Sequence, residues 1–301
     1  MSVLEELGWW VYCLKGFDKL HEKLPGYPGR RIALLPLRGL VASTVAFLGL
    51  ILLDILPRIF SSVELLVLAE PFIPLLGSLL VAAVGLWLIG SLWNKRDVMK
   101  AKYGSLAYQK MISRGVVGVF LIPSLVFHAF TSIRSLPPSP PVNELTTQWS
   151  QSLLFAFGIT GDADLLLRIG VAAFLFALGA LTVRSALTTF GIDYMTVVYL
   201  YFPDESEVQQ HEIYSVVRHP AYLGAVLMGA AAFVFRCSVY SALIFIIVYG
   251  VFRIQIAREE RELVERFGNS YKDYMKKVPA LHVRLHSIRA FARFLTYRPS
   301  R

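Results

Sequence analysis

Hydrophobic positions along the chain fall into six runs, at about residues 39–56, 72–93, 115–133, 166–187, 220–235 and 239–257, separated by shorter polar stretches. A helical crossing of a bilayer needs about 20 apolar residues, so the first four runs predict full spans and the last two predict short ones. Ahead of them, Leu4, Leu7, Val11, Leu14, Phe17, Leu20 and Leu24 recur every three or four residues, with Lys15, Asp18, Lys19, Glu22 and Lys23 between them. This spacing, with Trp9 and Trp10 suited to headgroup depth, predicts an interfacial amphipathic helix. Its charges interrupt the continuous apolar core that a signal peptide would need, and Pro-Gly-Tyr-Pro-Gly at 25–29 ends it. The expected fold is all-α and polytopic, with about six transmembrane helices. Its expected organisation is an interfacial segment (1–38), a three-span region (39–133), a Pro-rich non-cytoplasmic loop with a half-inserted piece near 153–159 (134–165), a core built on the last spans (166–280) and a basic amphipathic tail (281–301).

Composition supports this pattern. With 55% hydrophobic and 17% charged residues, and a mean hydropathy of +0.56, the chain is too apolar for an ordinary soluble domain. Basic residues then set the orientation. Of 30 lysines and arginines, only Arg58, Arg134, Arg168 and Arg236 fall on one side of the expected spans, and the other 26 fall on the opposite side. The positive-inside rule places both termini, and the loops between, in the cytoplasm. The membrane is then expected to be the endoplasmic reticulum in a eukaryote or the cell membrane in a prokaryote. A net charge of +9 beside anionic lipid needs no nucleic acid to explain it. Cys13 and Cys237 fall on opposite sides, so no disulfide is expected, and their spacing suggests no metal site.

Chemistry concentrates at both ends of the final apolar hairpin. Pro220 suits a first helical turn, which puts Arg218 and His219 at an open, anion-attracting helix N-terminus. Gly224 permits a close approach one turn in, and Tyr222 offers a ring with a polar tip. On the return, Glu259 and Glu260 are expected to end the helix at the membrane surface, a paired carboxylate able to hold a cation. Beyond them Leu263, Phe267, Tyr271 and Tyr274 keep helical spacing with a break at Gly268, which predicts a lid-like amphipathic segment.

The run R-H-P-A-Y-L-G at 218–224, followed by E-E-x-x-L-x-x-x-F-G-x-x-Y-x-x-Y-x-x-x-V-P at 259–279, resembles the isoprenylcysteine carboxyl methyltransferase and phospholipid methyltransferase superfamily of membrane enzymes. The resemblance covers roughly residues 165–280. It implies S-adenosylmethionine as cofactor and a lipophilic acceptor, either an isoprenylcysteine carboxylate or another lipid-like molecule. It also implies a cofactor site of Tyr214, His219, Pro220, Ala221, Tyr222, Gly224, Glu259 and Glu260, with Leu178 and Gly179 of an A-L-G run contributing. Arg184 and Thr188–Gly191 resemble the run leading into the family's catalytic loops. In the prenylcysteine enzymes an arginine one turn before the first glutamate is associated with the substrate carboxylate. That position is Gln255 here, which leaves Arg253 and Arg258 as the nearest cations to orient an acceptor. Two alternatives share parts of the motif: a membrane sterol-type NADPH-dependent reductase and a non-catalytic scaffold of the same fold. Outside the motif, His128 in mid-span is expected to hydrogen-bond a neighbouring helix. His282 and His286, at i and i+4, are expected on a basic membrane-surface helix rather than around a metal.

Overall fold

The first three apolar runs form helices α1 (Leu34–Ile59), α2 (Ile73–Asn94) and α3 (Ala107–Phe130). The next run forms α4 (Gly161–Phe190), and the hairpin is α5 (Pro220–Arg236) with α6 (Val239–Phe267). Short helices α7 (Asn269–Lys277) and α8 (Ile288–Thr296) close the chain. This computed structural model describes residues 15–203 and 210–296, and every regular element among them is helical. Five helices, α1 to α4 and α6, are long and apolar enough to cross a membrane. At 17 residues α5 is shorter, about 26 Å at 1.5 Å per residue against a hydrocarbon core of about 30 Å.

Packing places α3 at the centre, against α1, α2, α5 and α6, while α4 lies along α5 and leaves its outer side exposed. Leu166 and Phe174 of α4 are 70% and 65% exposed, as side chains facing lipid would be. Two glycines explain how closely α4 and α5 approach. A Cβ at Gly179 would come within 2.6 Å of the Gly224 carbonyl oxygen, and one at Gly224 within 2.6 Å of the Gly179 carbonyl oxygen, the close backbone approach that small residues permit between membrane helices.

One end of this bundle gathers the starts of α1, α3 and α5 with the ends of α2, α4 and α6. The Tyr201 hydroxyl donates to Leu92 O at 3.0 Å, the Tyr108 hydroxyl to Thr196 O at 3.0 Å, and Arg96 meets Glu262 at 2.7 Å. The other end is tied by Tyr240 donating to Pro71 O and Leu153 N to Cys237 O. Several polar groups within the spans find partners there, as a low-dielectric surrounding favours, although Asp54 Oδ1 has none among the described residues. His128 sits between Asp54, 2.7 Å from Nε2, and Ser78, 3.0 Å from Nδ1, which is the interhelical hydrogen bonding expected of it. Arg58 meets Glu70 at 2.8 Å.

Four expectations change. The return helix does not end at Glu259–Glu260 but continues two turns further to Phe267, where Gly268 stops it with φ of 57°; both carboxylates find partners along its side, so nothing obliges the helix to stop. The segment 134–165 is not plain loop, since it carries the helix Glu144–Trp149 and the 3-10 turn Leu153–Phe157. The interfacial helix falls largely on residues 1–14, outside the described residues. Its described remainder, Phe17–Glu22, spends its apolar stripe on protein, with Phe17, Leu20 and Leu24 buried against Tyr108, Val198 and Tyr201. In the tail, His282 lies in irregular chain and His286 in a single 3-10 turn, so the two share no helix face; α8 begins only at Ile288 and buries Phe291 and Leu295.

Candidate functional site

Pro220 opens α5 at its first position and His219 is the N-cap, which leaves the preceding backbone free to pair elsewhere. It does so with the chain beyond α7: Arg218 N–H donates to Pro279 O at 2.9 Å and His219 N–H to Ala280 O at 3.2 Å. The Arg218 guanidinium reaches Glu260 at 2.7 and 2.8 Å and donates to the carbonyls of Met275, at 2.9 Å, and Val278. One arginine thus fastens α7 and its following turn onto α6, so the sequence-distant halves of the motif form one wall.

Glu259 and Glu260 are separated in role by this arrangement. Glu260 Oε1 lies 3.1 Å from His219 Nε2 as well as against Arg218. Glu259 is buried, and its Oε1 accepts from the Tyr222 hydroxyl and from Gln255 Nε2 at 2.9 Å. Its other oxygen, Oε2, is 3.7 Å from His219 Nδ1 and is the one left for a further donor. The His219 ring stacks parallel to Tyr222, with centroids 5.6 Å apart, and Tyr222 tilts against Phe252 at 5.2 Å.

These groups form the floor of an open cleft, and concave, largely apolar clefts with a few convergent polar groups are where small molecules bind. Tyr214, His219, Pro220, Ala221, Tyr222 and Glu259 line it, and its remaining walls are mostly aromatic. Phe190, at the end of α4, packs between Tyr194 and Tyr214 with ring centroids 4.3 and 4.6 Å away. Tyr271 and Tyr274 of α7 cover the other side, and the Tyr274 hydroxyl donates to Tyr214 O at 2.6 Å. Burial pushes the Tyr214, Tyr271 and Tyr274 phenols up, well above the ordinary tyrosine range, because an apolar surrounding penalises the phenolate. They are therefore neutral hydrogen-bonding groups on aromatic faces. Rings ranged round one buried carboxylate suit a cationic ligand with an amine.

The remaining candidates lie elsewhere. Gly224 and Gly179 do not line the cleft, for each is filled by the other's backbone at the α4–α5 crossing, and Leu178 packs beside them against the cluster around Leu223. Glu260 stands behind the wall, on Arg218. Arg253 is exposed on the opposite side of α6, whose buried face runs through Phe252, Gln255, Ile256 and Glu259. Arg258 also lies outside the cleft, 6.0 Å from the Trp93 ring, but its Nη1 donates to Gln255 Oε1 at 3.1 Å. Gln255 therefore bridges Arg258 to Glu259. The walls from Tyr194 to Tyr199 were missed by sequence reasoning; the signal was the aromatic density of Y-M-T-V-V-Y-L-Y-F at 194–202 just after the F-G run.

Residues 167–270 match the family described as phospholipid methyltransferase. Among curated proteins, the chain is similar to a probable protein-S-isoprenylcysteine O-methyltransferase of Oryza sativa subsp. indica, with 28% identity over 102 residues, 34% of this chain and 53% of that protein. It is similar to protein-S-isoprenylcysteine O-methyltransferase B of Arabidopsis thaliana, with 27% identity over 104 residues, 34% and 53% of the two chains. The Schizosaccharomyces pombe protein-S-isoprenylcysteine O-methyltransferase is 38% identical over 69 residues, 23% and 29% of the two chains. The match thus spans about half the length of the first two relatives. No solved structure matches the chain significantly.

Proposed function

Residues 167–270 carry the sequence pattern of the isoprenylcysteine and phospholipid methyltransferase superfamily, and from this premise we propose that the whole chain is an integral membrane methyltransferase. It transfers a methyl group from S-adenosylmethionine to a lipophilic acceptor. The observation that carries the reading is the convergence of His219 and Tyr222 with Glu259, more than 30 residues further along the sequence, on the floor of one aromatic cleft.

The donor set suits the cofactor. Bound there, S-adenosylmethionine would supply a methyl on a sulfonium, open to in-line displacement by a nucleophile. Glu259 Oε2 is the oxygen for its ammonium, while Tyr222 and Gln255 hold the other oxygen and so fix the carboxylate's orientation. The open N-terminus of α5 at His219 suits its carboxylate. Tyr194, Tyr214 and Tyr271 line the cleft with Phe267, an aromatic surface that suits a cation and limits the water reaching the methyl. Displacement neutralises the sulfonium as the acceptor's lone pair takes the methyl, so at that step the chain contributes positioning and exclusion of water, and a neutral acceptor afterwards releases its proton to solvent.

The acceptor reading follows from Gln255. A neutral amide stands one turn before Glu259, with its carbonyl already taken by Arg258. A carboxylate acceptor would meet an amide rather than a cation at that position, and Arg218, which does line the cleft, is already held by Glu260, so its desolvation would go largely uncompensated. An acceptor whose nucleophile is neutral, such as a free amine, fits better.

Thermal melting of the detergent-solubilised chain tests the cofactor, since a ligand bound only by the folded state raises the melting temperature. S-adenosylhomocysteine should raise it and NADPH should not. Stabilisation by NADPH alone would favour a reductase and end this reading.

A further inference from the structure

A second, wide-open cavity lies on the same end of the bundle as the cleft, where the Pro-Gly-Tyr-Pro-Gly turn meets the first turns of α1 and α3. Arg31, Arg38 and Lys110 line it, together with Tyr27, Gln109 and Ser113, and no carboxylate does. Its rim is fixed by the chain itself. Gly26 N–H donates to Gln109 Oε1, and a Cβ at Gly26 would strike that amide at 2.4 Å, so the turn sits tightly on α3. Arg38 Nη1 donates to the Tyr27 hydroxyl at 3.2 Å, which holds the guanidinium at the cavity wall. None of the three cations takes part in an ion pair among the described residues. Like charges gathered round one opening repel, and an anion placed among them relieves that repulsion.

A second observation says what kind of anion. Leu34 belongs to the cavity wall and also begins an exposed apolar strip on α1, continued by Leu37, Leu40 and Val41 at 41–56% exposure. A phosphate in the cavity would therefore have an apolar track leading from it along a helix long enough to cross the membrane. We propose that this cavity binds the phosphate of an anionic phospholipid, with the acyl chains laid along α1. Basic pockets at helix ends on the lysine- and arginine-rich side are suited to such headgroups. The site is separate from the aromatic cleft and does not depend on the chain being a methyltransferase.

The experiment titrates the purified full chain in detergent with dioleoylphosphatidylglycerol, dioleoylphosphatidylcholine or inorganic phosphate, following bound lipid by native mass spectrometry and stability by thermal melting. Phosphatidylglycerol should bind and stabilise, with phosphatidylcholine at least tenfold weaker. The combined change Arg31→Gln, Arg38→Gln and Lys110→Gln should lower phosphatidylglycerol affinity at least about tenfold, since each cation near a membrane contributes about 1 kcal/mol. Lys272→Gln, Lys276→Gln and Lys277→Gln, which remove as many charges from α7, should change it less than about threefold. Should the triple variant melt early without lipid, Lys110→Gln alone should still weaken binding severalfold. Equal losses in the two triple variants would reduce the effect to diffuse surface charge and overturn the site. Full stabilisation by inorganic phosphate alone would overturn the lipid assignment.

Discussion

On α6 the consecutive residues Glu259 and Glu260 point about 100° apart, and that rotation divides their work. Glu259 faces the cleft, while Glu260 faces Arg218 and His219. Glu259→Gln keeps an acceptor for Tyr222 but removes the charge offered to an ammonium. It should weaken S-adenosylhomocysteine binding by about tenfold to a hundredfold, or about 1.5–3 kcal/mol, with little change in melting temperature; calorimetric titration reads this, and unchanged affinity in a folded variant would remove Glu259 from the site. Glu260→Gln should do the reverse. It weakens the clasp that Arg218 makes on α7, and should cost about 1–3 kcal/mol of stability in chemical or thermal unfolding, with affinity following only as far as the fold is lost. On the proposed reading, Gln255 decides the acceptor. Transfer of labelled methyl from S-adenosylmethionine to a farnesylcysteine analogue should be slow in the wild type beside transfer to components of a lipid extract. Gln255→Arg should raise transfer to the analogue if the rest of the cleft admits the prenyl chain. Robust wild-type turnover of the analogue, lost in Arg258→Ala, would show that Arg258 reaches a carboxylate through Gln255 after all.

Among the elements, the α4–α5 crossing positions the cleft without touching it. Phe190 reaches Tyr214 only because α4 lies close along α5, and that closeness depends on the facing backbones at Gly179 and Gly224. Gly224→Ala puts a methyl where a carbonyl oxygen stands, so the helices must separate. Overpacking of this kind costs about 1–3 kcal/mol, and the melting temperature should fall with it. Neutral behaviour of Gly224→Ala in thermal melts would mean that the crossing tolerates more space than its geometry allows. The A-L-G run at 177–179 was legible as small residues, but a sequence cannot say whether a small residue makes room for a ligand or for another helix. Here the backbone of α5 occupies the room. In the same way E-E reads as a helix end when the apolar run stops, yet α6 continues because Arg218, His219 and Tyr222, brought by another helix, satisfy both carboxylates.

For the molecule as a whole, the six long helices alternate in direction, so the cleft, the basic cavity and the chain on either side of the bundle share one end. By the positive-inside rule, the distribution of lysine and arginine is the reason to expect that end in the cytoplasm. Reporter fusions at the C-terminus and within 137–141 should therefore report opposite sides of the membrane, and finding both on one side would refute an odd number of crossings between them. It would also require α5, at 17 residues, to enter the bilayer without crossing it.

The order of apolar runs, the helical class, the hairpin, the stop at Gly268 and the motif that carries His219, Tyr222 and Glu259 were determined by sequence alone. Each depends on local causes: hydrophobic length, proline at a first turn, glycine where φ is positive, and residue types whose spacing fits a motif. Only the tertiary structure decided which face of α6 looks into the cleft, that Arg253 lies away from it while Arg258 touches Gln255, and that the apolar stripe from Phe17 to Leu24 packs on protein. Those facts depend on which neighbour a side chain meets across tens or hundreds of residues, and a periodicity specifies a face without specifying its partner.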